Sequence, residues 1–121
     1  MINIDGIKEN AKLIANVASD KLANNVVIFD VQGRFPLADY FVIASGDNER
    51  QVNAIVDGIR EKMLKQKQQS PLRVEGRSEG RWVLLDYADI IVHVQHKEDR
   101  EFYALDKLWQ DCPRLEFEFI E

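Results

Sequence analysis

The run Trp82 to Gln95, WVLLDYADIIVHVQ, constrains this chain most, because two apolar strand-like segments are separated by only a short acidic corner. So short a connection joins antiparallel neighbours, since a parallel pair needs a crossover of about a dozen residues. Side chains in the first segment alternate, so Trp82, Leu84 and Asp86 share one face while Val83, Leu85 and Tyr87 share the other. Tryptophan and leucine beside a carboxylate suit a protein-binding surface, and they suit an amphipathic core strand equally well. The corner Asp86, Tyr87, Ala88, Asp89 has no Asn or Gly at its centre, so a type I geometry is expected in place of type I′.

Elsewhere the periodicity alternates between helix and strand. Ile4, Ile7, Ala11, Ile14, Ala18 and Leu22 predict an amphipathic helix over about 5–23, ended by Asn24 and Asn25. Val26–Val31 and Tyr40–Ala44 read as neighbouring strands around a loop at Arg34, Phe35 and Pro36. Ser45 or Asp47 is expected to cap a helix whose apolar face is Val52, Ile55, Val56, Ile59 and Met63. A short strand at Leu72–Glu75 precedes the opening pair. A last helix follows, with Glu98 and Asp99 at its positive end, a stripe of Phe102, Leu105, Leu108 and Trp109, and a stop before Pro113. The LEFEFIE tail alternates and is either an edge strand or an extension. The order predicts an α/β domain with a mixed sheet of about five strands and packed helices.

Composition narrows the partners. The net charge is −5, and all of it arises in residues 71–121, where seven basic face twelve acidic side chains; residues 1–70 balance nine against nine. An acidic surface repels phosphate backbones, so no direct nucleic-acid binding is expected and a basic protein is the better partner. No apolar run reaches membrane-span length, and the N-terminus lacks a basic start followed by a hydrophobic block, so a cytoplasmic location is expected. The lone Cys112 forms no internal disulfide.

The catalytic inventory is thin. His93 and His96 lie three apart in a strand and point to opposite faces, so they do not chelate one metal together. His93 is expected to be a hydrogen-bonded, partly buried side chain. Ser45, Gly46 and Asp47 between strand and helix offer an anion-binding turn, but without the lysine and extra glycines of a phosphate loop. Catalytic residues, metal and cofactor are therefore all expected to be none.

Six strings stand in order at compatible spacings: DVQG (30–33), DYFVIASG (39–46), RQV (50–52), VEG (74–76), WVLLDYADIIVHV (82–94) and REFYALDKLW (100–109). With these the chain resembles the Iojap family, the ribosomal silencing factors, over roughly residues 5–109. The resemblance implies a single domain at 1–109 with a C-terminal extension at 110–121. It also implies a nucleotidyltransferase-like fold without the catalytic carboxylates, since LRVEG keeps only Glu75 of the usual pair and one carboxylate does not assemble a two-metal centre. The implied function is binding to the large-subunit ribosomal protein uL-fourteen, which blocks subunit joining and so represses translation. Trp82 and Leu84 would be the apolar anchors and Asp86 the partner of a basic residue, with Tyr87, Asp89, Glu75 and Glu98 at the rim. The family more often has glycine where this chain has Ala88, and its members are often homodimers. The alternative is a divergent metal-dependent nucleotidyltransferase using Ser45, Asp47 and Glu75.

Overall fold

A computed structural model of the chain describes residues 4–117. Helix α1 spans Ile4–Asp20, followed by strands β1 (Asn24–Asp30) and β2 (Tyr40–Gly46) and helix α2 (Glu49–Lys67). Strands β3 (Arg73–Glu75), β4 (Trp82–Asp86) and β5 (Ile90–His96) come next, then short helices α3 (Lys97–Tyr103) and α4 (Leu105–Leu108). The five strands form one mixed sheet in the order β1-β2-β5-β4-β3, in which only β2 and β5 run parallel. Those two central strands are buried along their whole length, which explains why both read as unbroken apolar runs.

The two faces of the sheet are covered differently. On the inner face α1 contributes Ile7, Ala11, Ile14 and Ala18, and α2 contributes Val52, Ile55, Val56, Ile59 and Met63, all packed on Val42, Val83, Leu85, Val92 and Val94. The outer face carries Phe29, Val31, Phe41, Ile43 and Ile91, with Leu84 at its side; Phe35, Ala38, Leu105, Trp109 and Cys112 pack over them, and the Arg114 guanidinium lies 5.2 Å over the Phe29 ring. Neither α3 nor α4 has a buried residue.

Several local expectations are corrected. Helix α1 ends at Asp20, so Leu22 lies beyond it with φ 65 and is exposed, and Asn24 and Asn25 begin β1 instead of ending the helix. Strand β2 runs on through Gly46, which moves the α2 cap to Asn48: its Oδ1 accepts from the Gln51 N–H at 2.8 Å. The Gln51 side chain reaches back to accept from the Asp47 N–H at 2.7 Å, a variant of the capping box, so neither Ser45 nor Asp47 is the cap. The predicted last helix is two, broken at Ala104 in the left-handed region with φ 50, and its Phe102 and Leu108 stand in solvent.

The corner is not type I. Ala88 has φ 72, the Tyr87 N–H donates to the Ile90 carbonyl at 2.9 Å, and the Asp89 N–H donates to the Tyr87 carbonyl at 2.9 Å. A positive first central residue matches the twist of the flanking strands better than type I does. At the far edge, Pro113 to Leu115 run along β1: the Asp30 N–H donates to the Pro113 carbonyl at 2.8 Å and the Leu115 N–H to the Ile28 carbonyl at 2.9 Å. Leu115 and Phe117 lean on the main core. The last four residues of LEFEFIE, 118–121, lie outside the described residues.

Candidate docking face

Strand β4 presents its two sides as its alternation implies. Val83 and Leu85 are fully buried, whereas Trp82, Leu84 and Asp86 are half-buried on the outer side. The β4–β5 pairing sets Leu84 opposite His93 and Trp82 opposite Gln95. Trp82 also turns diagonally: its Nε1–H donates to Nδ1 of His93 at 3.1 Å, and its ring lies 5.0 Å from that of Tyr103 on α3. Asp86 closes the corner by accepting the Ala88 N–H at 2.8 Å and lies 3.5 Å from Nε of Arg73.

The other expected residues disperse. Tyr87 is corrected from a rim position: it is 6% exposed in the inner core, and burial pushes its hydroxyl up to about 12. It follows Asp86 on the alternate side of the strand, so the rim and the outer face exclude it. Asp89 stays half-buried at the corner, its carbonyl accepting from the Asp39 and Tyr40 N–H groups at 2.8 and 3.2 Å. Burial and the neighbouring Asp89 and Asp30 raise the Asp39 carboxyl above its ordinary range. Glu75 is exposed on the edge strand, 3.6 Å from Arg73. Glu98 is exposed beside Arg81, which bonds more closely to Asp99.

Ser45 and Asp47 lie well apart from Glu75. The Ser45 hydroxyl is buried, donating to the Asn24 carbonyl at 3.2 Å and accepting from Arg100 at 3.3 Å, while Asp47 accepts from the Asn24 amide at 2.8 Å. Ser45 on β2 and Glu75 on β3 are separated by β5 and β4, about 14 Å at ordinary strand spacing. No three His, Cys, Asp or Glu side chains among the described residues are placed to hold a metal, and no helix among them is long and apolar enough to cross a membrane.

Sequence reasoning did not find the groove beside β4. About 610 Å³ in volume, it is walled by Phe41, Leu84, Ile91, Leu105 and Trp109, with His93 along it and the exposed Leu37 and Leu72 at its lip. Phe41 is the hub of the wall, with its ring 5.3 Å from His93 and 5.0 Å from Trp109. The available signal was the leucine in each flanking loop, which no core periodicity accounts for.

This geometry defines a class of small α/β domain: one sheet face is sealed by two helices and the other carries an apolar, acid-edged surface. The model of the family described as "Ribosomal silencing factor during starvation" matches residues 5–121, and the chain belongs to that family. A ribosomal silencing factor RsfS of Halalkalibacterium halodurans is 40% identical over 113 residues, covering 93% of this chain and 96% of the relative. Mouse "Mitochondrial assembly of ribosomal large subunit protein 1" is 28% identical over 106 residues, 86% of this chain and 46% of that protein. A crystal structure from Chromobacterium violaceum superposes with a TM-score of 0.81 at 29% identity, covering 95% of this chain and 92% of that one.

Proposed function

We propose that this protein is a non-enzymatic translational repressor that docks on the large ribosomal subunit through the outer face of β4, with ribosomal protein uL-fourteen as its target. The bound domain occupies a surface that the small subunit needs, so repression is steric and requires no turnover. The observation that carries this reading is the outer sheet face itself: Trp82 and Leu84 half-exposed, Leu37 and Leu72 in solvent beside them, and Asp86 and Asp89 at the margin. An apolar centre with an acidic rim fits a basic protein. The family and the mouse relative's name support a large-subunit partner.

Trp82 and Leu84 act as anchors, Asp86 faces a lysine or arginine, and Asp89, Glu75 and Glu98 steer the encounter from the periphery. The silencing domain proper is 1–109, a nucleotidyltransferase-like scaffold without its carboxylate set, and 110–121 is its C-terminal extension, of which Pro113 to Leu115 lie along β1. It works in the cytoplasm, and the same apolar face serves a homodimer when no ribosome is bound. Sedimentation with purified large subunits tests the reading: the wild type co-migrates and prevents joining with small subunits, whereas Trp82→Glu does neither. Equal association of Trp82→Glu and wild type would sink the proposed surface.

A further inference from the structure

On the outer sheet face, the donors His93 Nε2, Trp109 Nε1 and Gln95 Nε2 are enclosed without an acceptor, and the first two lie along the groove. His93 is 6% exposed; its Nδ1 is occupied by the Trp82 N–H, so its proton resides on Nε2, which has no partner and is shut off from water. Trp109 Nε1, also a donor, is buried without a partner along the same groove. Leaving such donors unmet costs free energy in the isolated chain, and neither phenylalanine nor leucine in the walls offers an acceptor. The margin selects the missing partner. Arg73 also lines the groove and already meets Asp86 at 3.5 Å, so Asp89 beside them is the carboxylate that favours an incoming cation, while Leu37 and Leu72 extend the apolar lip.

We propose that this groove receives an apolar segment of the docked ribosomal protein that brings a neutral oxygen acceptor, a backbone carbonyl or a hydroxyl, to Nε2–H of His93 and sets a basic residue against Asp89, beside the Arg73–Asp86 pair. The inference rests on the reading of the outer face as the ribosome-docking surface and identifies the chemistry that enters it. In the free protein the N–H is shut off from water, so opening of the groove accompanies docking. Trp82 holds the imidazole tautomer from the other side, which makes His93 a positioning link between the anchor and the pocket.

Leu37 and Leu72 allow a test that leaves the core intact, because they are 75% and 72% exposed. Leu37→Ser and Leu72→Ser remove apolar lip without changing charge, and each is expected to weaken association with purified large subunits about tenfold, while Leu64→Ser on the opposite layer changes it by about twofold or less. In the nitrogen-15 labelled full chain, isolated uL-fourteen is expected to move the His93 Nε2–H resonance downfield and slow its exchange. If wild type binds and Trp82→Glu does not, but both lip variants bind normally and the His93 resonance stays in place, the groove assignment is overturned and the docking face stands. If wild type fails to bind large subunits at all, the docking face falls and the groove assignment with it.

Discussion

Trp82 donates its indole N–H to Nδ1 of His93, binding the outer edge of β4 to the most buried histidine of β5. Burial lowers the His93 pKa from its ordinary 6.5 to about 4. The unfolded chain therefore takes up a proton near pH 6.5 that the folded chain refuses until near pH 4. Stability should be fully present above pH 6.5 and fall as pH drops to 4, with up to about 3 kcal/mol lost through this one group. Urea unfolding at several pH values should show that loss, and His93→Gln should flatten the curve across this interval.

The left-handed φ of 72 at Ala88 strains an L-residue with a side chain. Ala88→Gly should stabilise the fold by about 1 kcal/mol, since relief of that strain exceeds the added unfolded-state entropy. Ala88 is exposed, so no packing is lost. Thermal unfolding would reveal a midpoint a few degrees higher, and a lower midpoint would refute the turn assignment.

Gly76 has φ 80, and a Cβ there would sit 2.0 Å from the Trp82 carbonyl oxygen. Gly76→Ala should cost about 3 kcal/mol or more, because the atom it meets is backbone and the conformation is also unfavourable. The β3–β4 connection would move, carrying Trp82 with it. Chemical unfolding gives the cost, and tryptophan emission reports the displacement.

Arg100 fastens the two short helices to the sheet. Its guanidinium forms a fork with Asp106 at 2.9 and 3.2 Å and reaches the Asn24 carbonyl at 3.1 Å. Arg100→Met leaves Asp106 and the Ser45 hydroxyl without their donor and should cost about 2 kcal/mol. Hydrogen exchange should quicken in α3 and α4 before it changes in β2 or β5. Uniform quickening would mean that the clasp holds the whole domain.

Removal of 110–121 strips the β1 edge of its two backbone hydrogen bonds and takes away Cys112, Leu115 and Phe117. The truncated chain should still fold, less stably, with an exposed β1 edge prone to pairing with other chains. Unfolding midpoint and concentration-dependent light scattering would both register the change.

Much of the architecture was legible where a single period dominated. The face of α2 is the set from Val52 to Met63 that its spacing named, and the alternation in β4 correctly separated Val83 and Leu85 from Trp82, Leu84 and Asp86. Errors arose where a local bond outranked a pattern. Arg100 and Asp106 meet six residues apart in sequence across the left-handed Ala104, so a stripe that looked like one helix is folded into two. Tyr87 was expected at the rim from the family resemblance, whereas strand parity turns it inward with Val83 and Leu85, where it is buried. The groove was invisible because Leu37, Leu84 and the Leu105–Trp109 turn come from three separate segments, and only the sheet order brings them together.

The clasp at Arg100 also divides the molecule by the kind of force that maintains each part. The helical layer on α1 and α2 is held by apolar burial, which salt strengthens or leaves alone, whereas α3 and α4 bury nothing fully and are tied down by ion pairs at Arg100–Asp106 and Arg81–Asp99. Rising ionic strength therefore weakens the more exposed Arg81–Asp99 tie more than the part-buried Arg100–Asp106 clasp, and loosens the start of α3 while the scaffold beneath it keeps its shape. Ions in the surrounding medium thereby act as a dial on one surface of a protein whose interior they do not loosen.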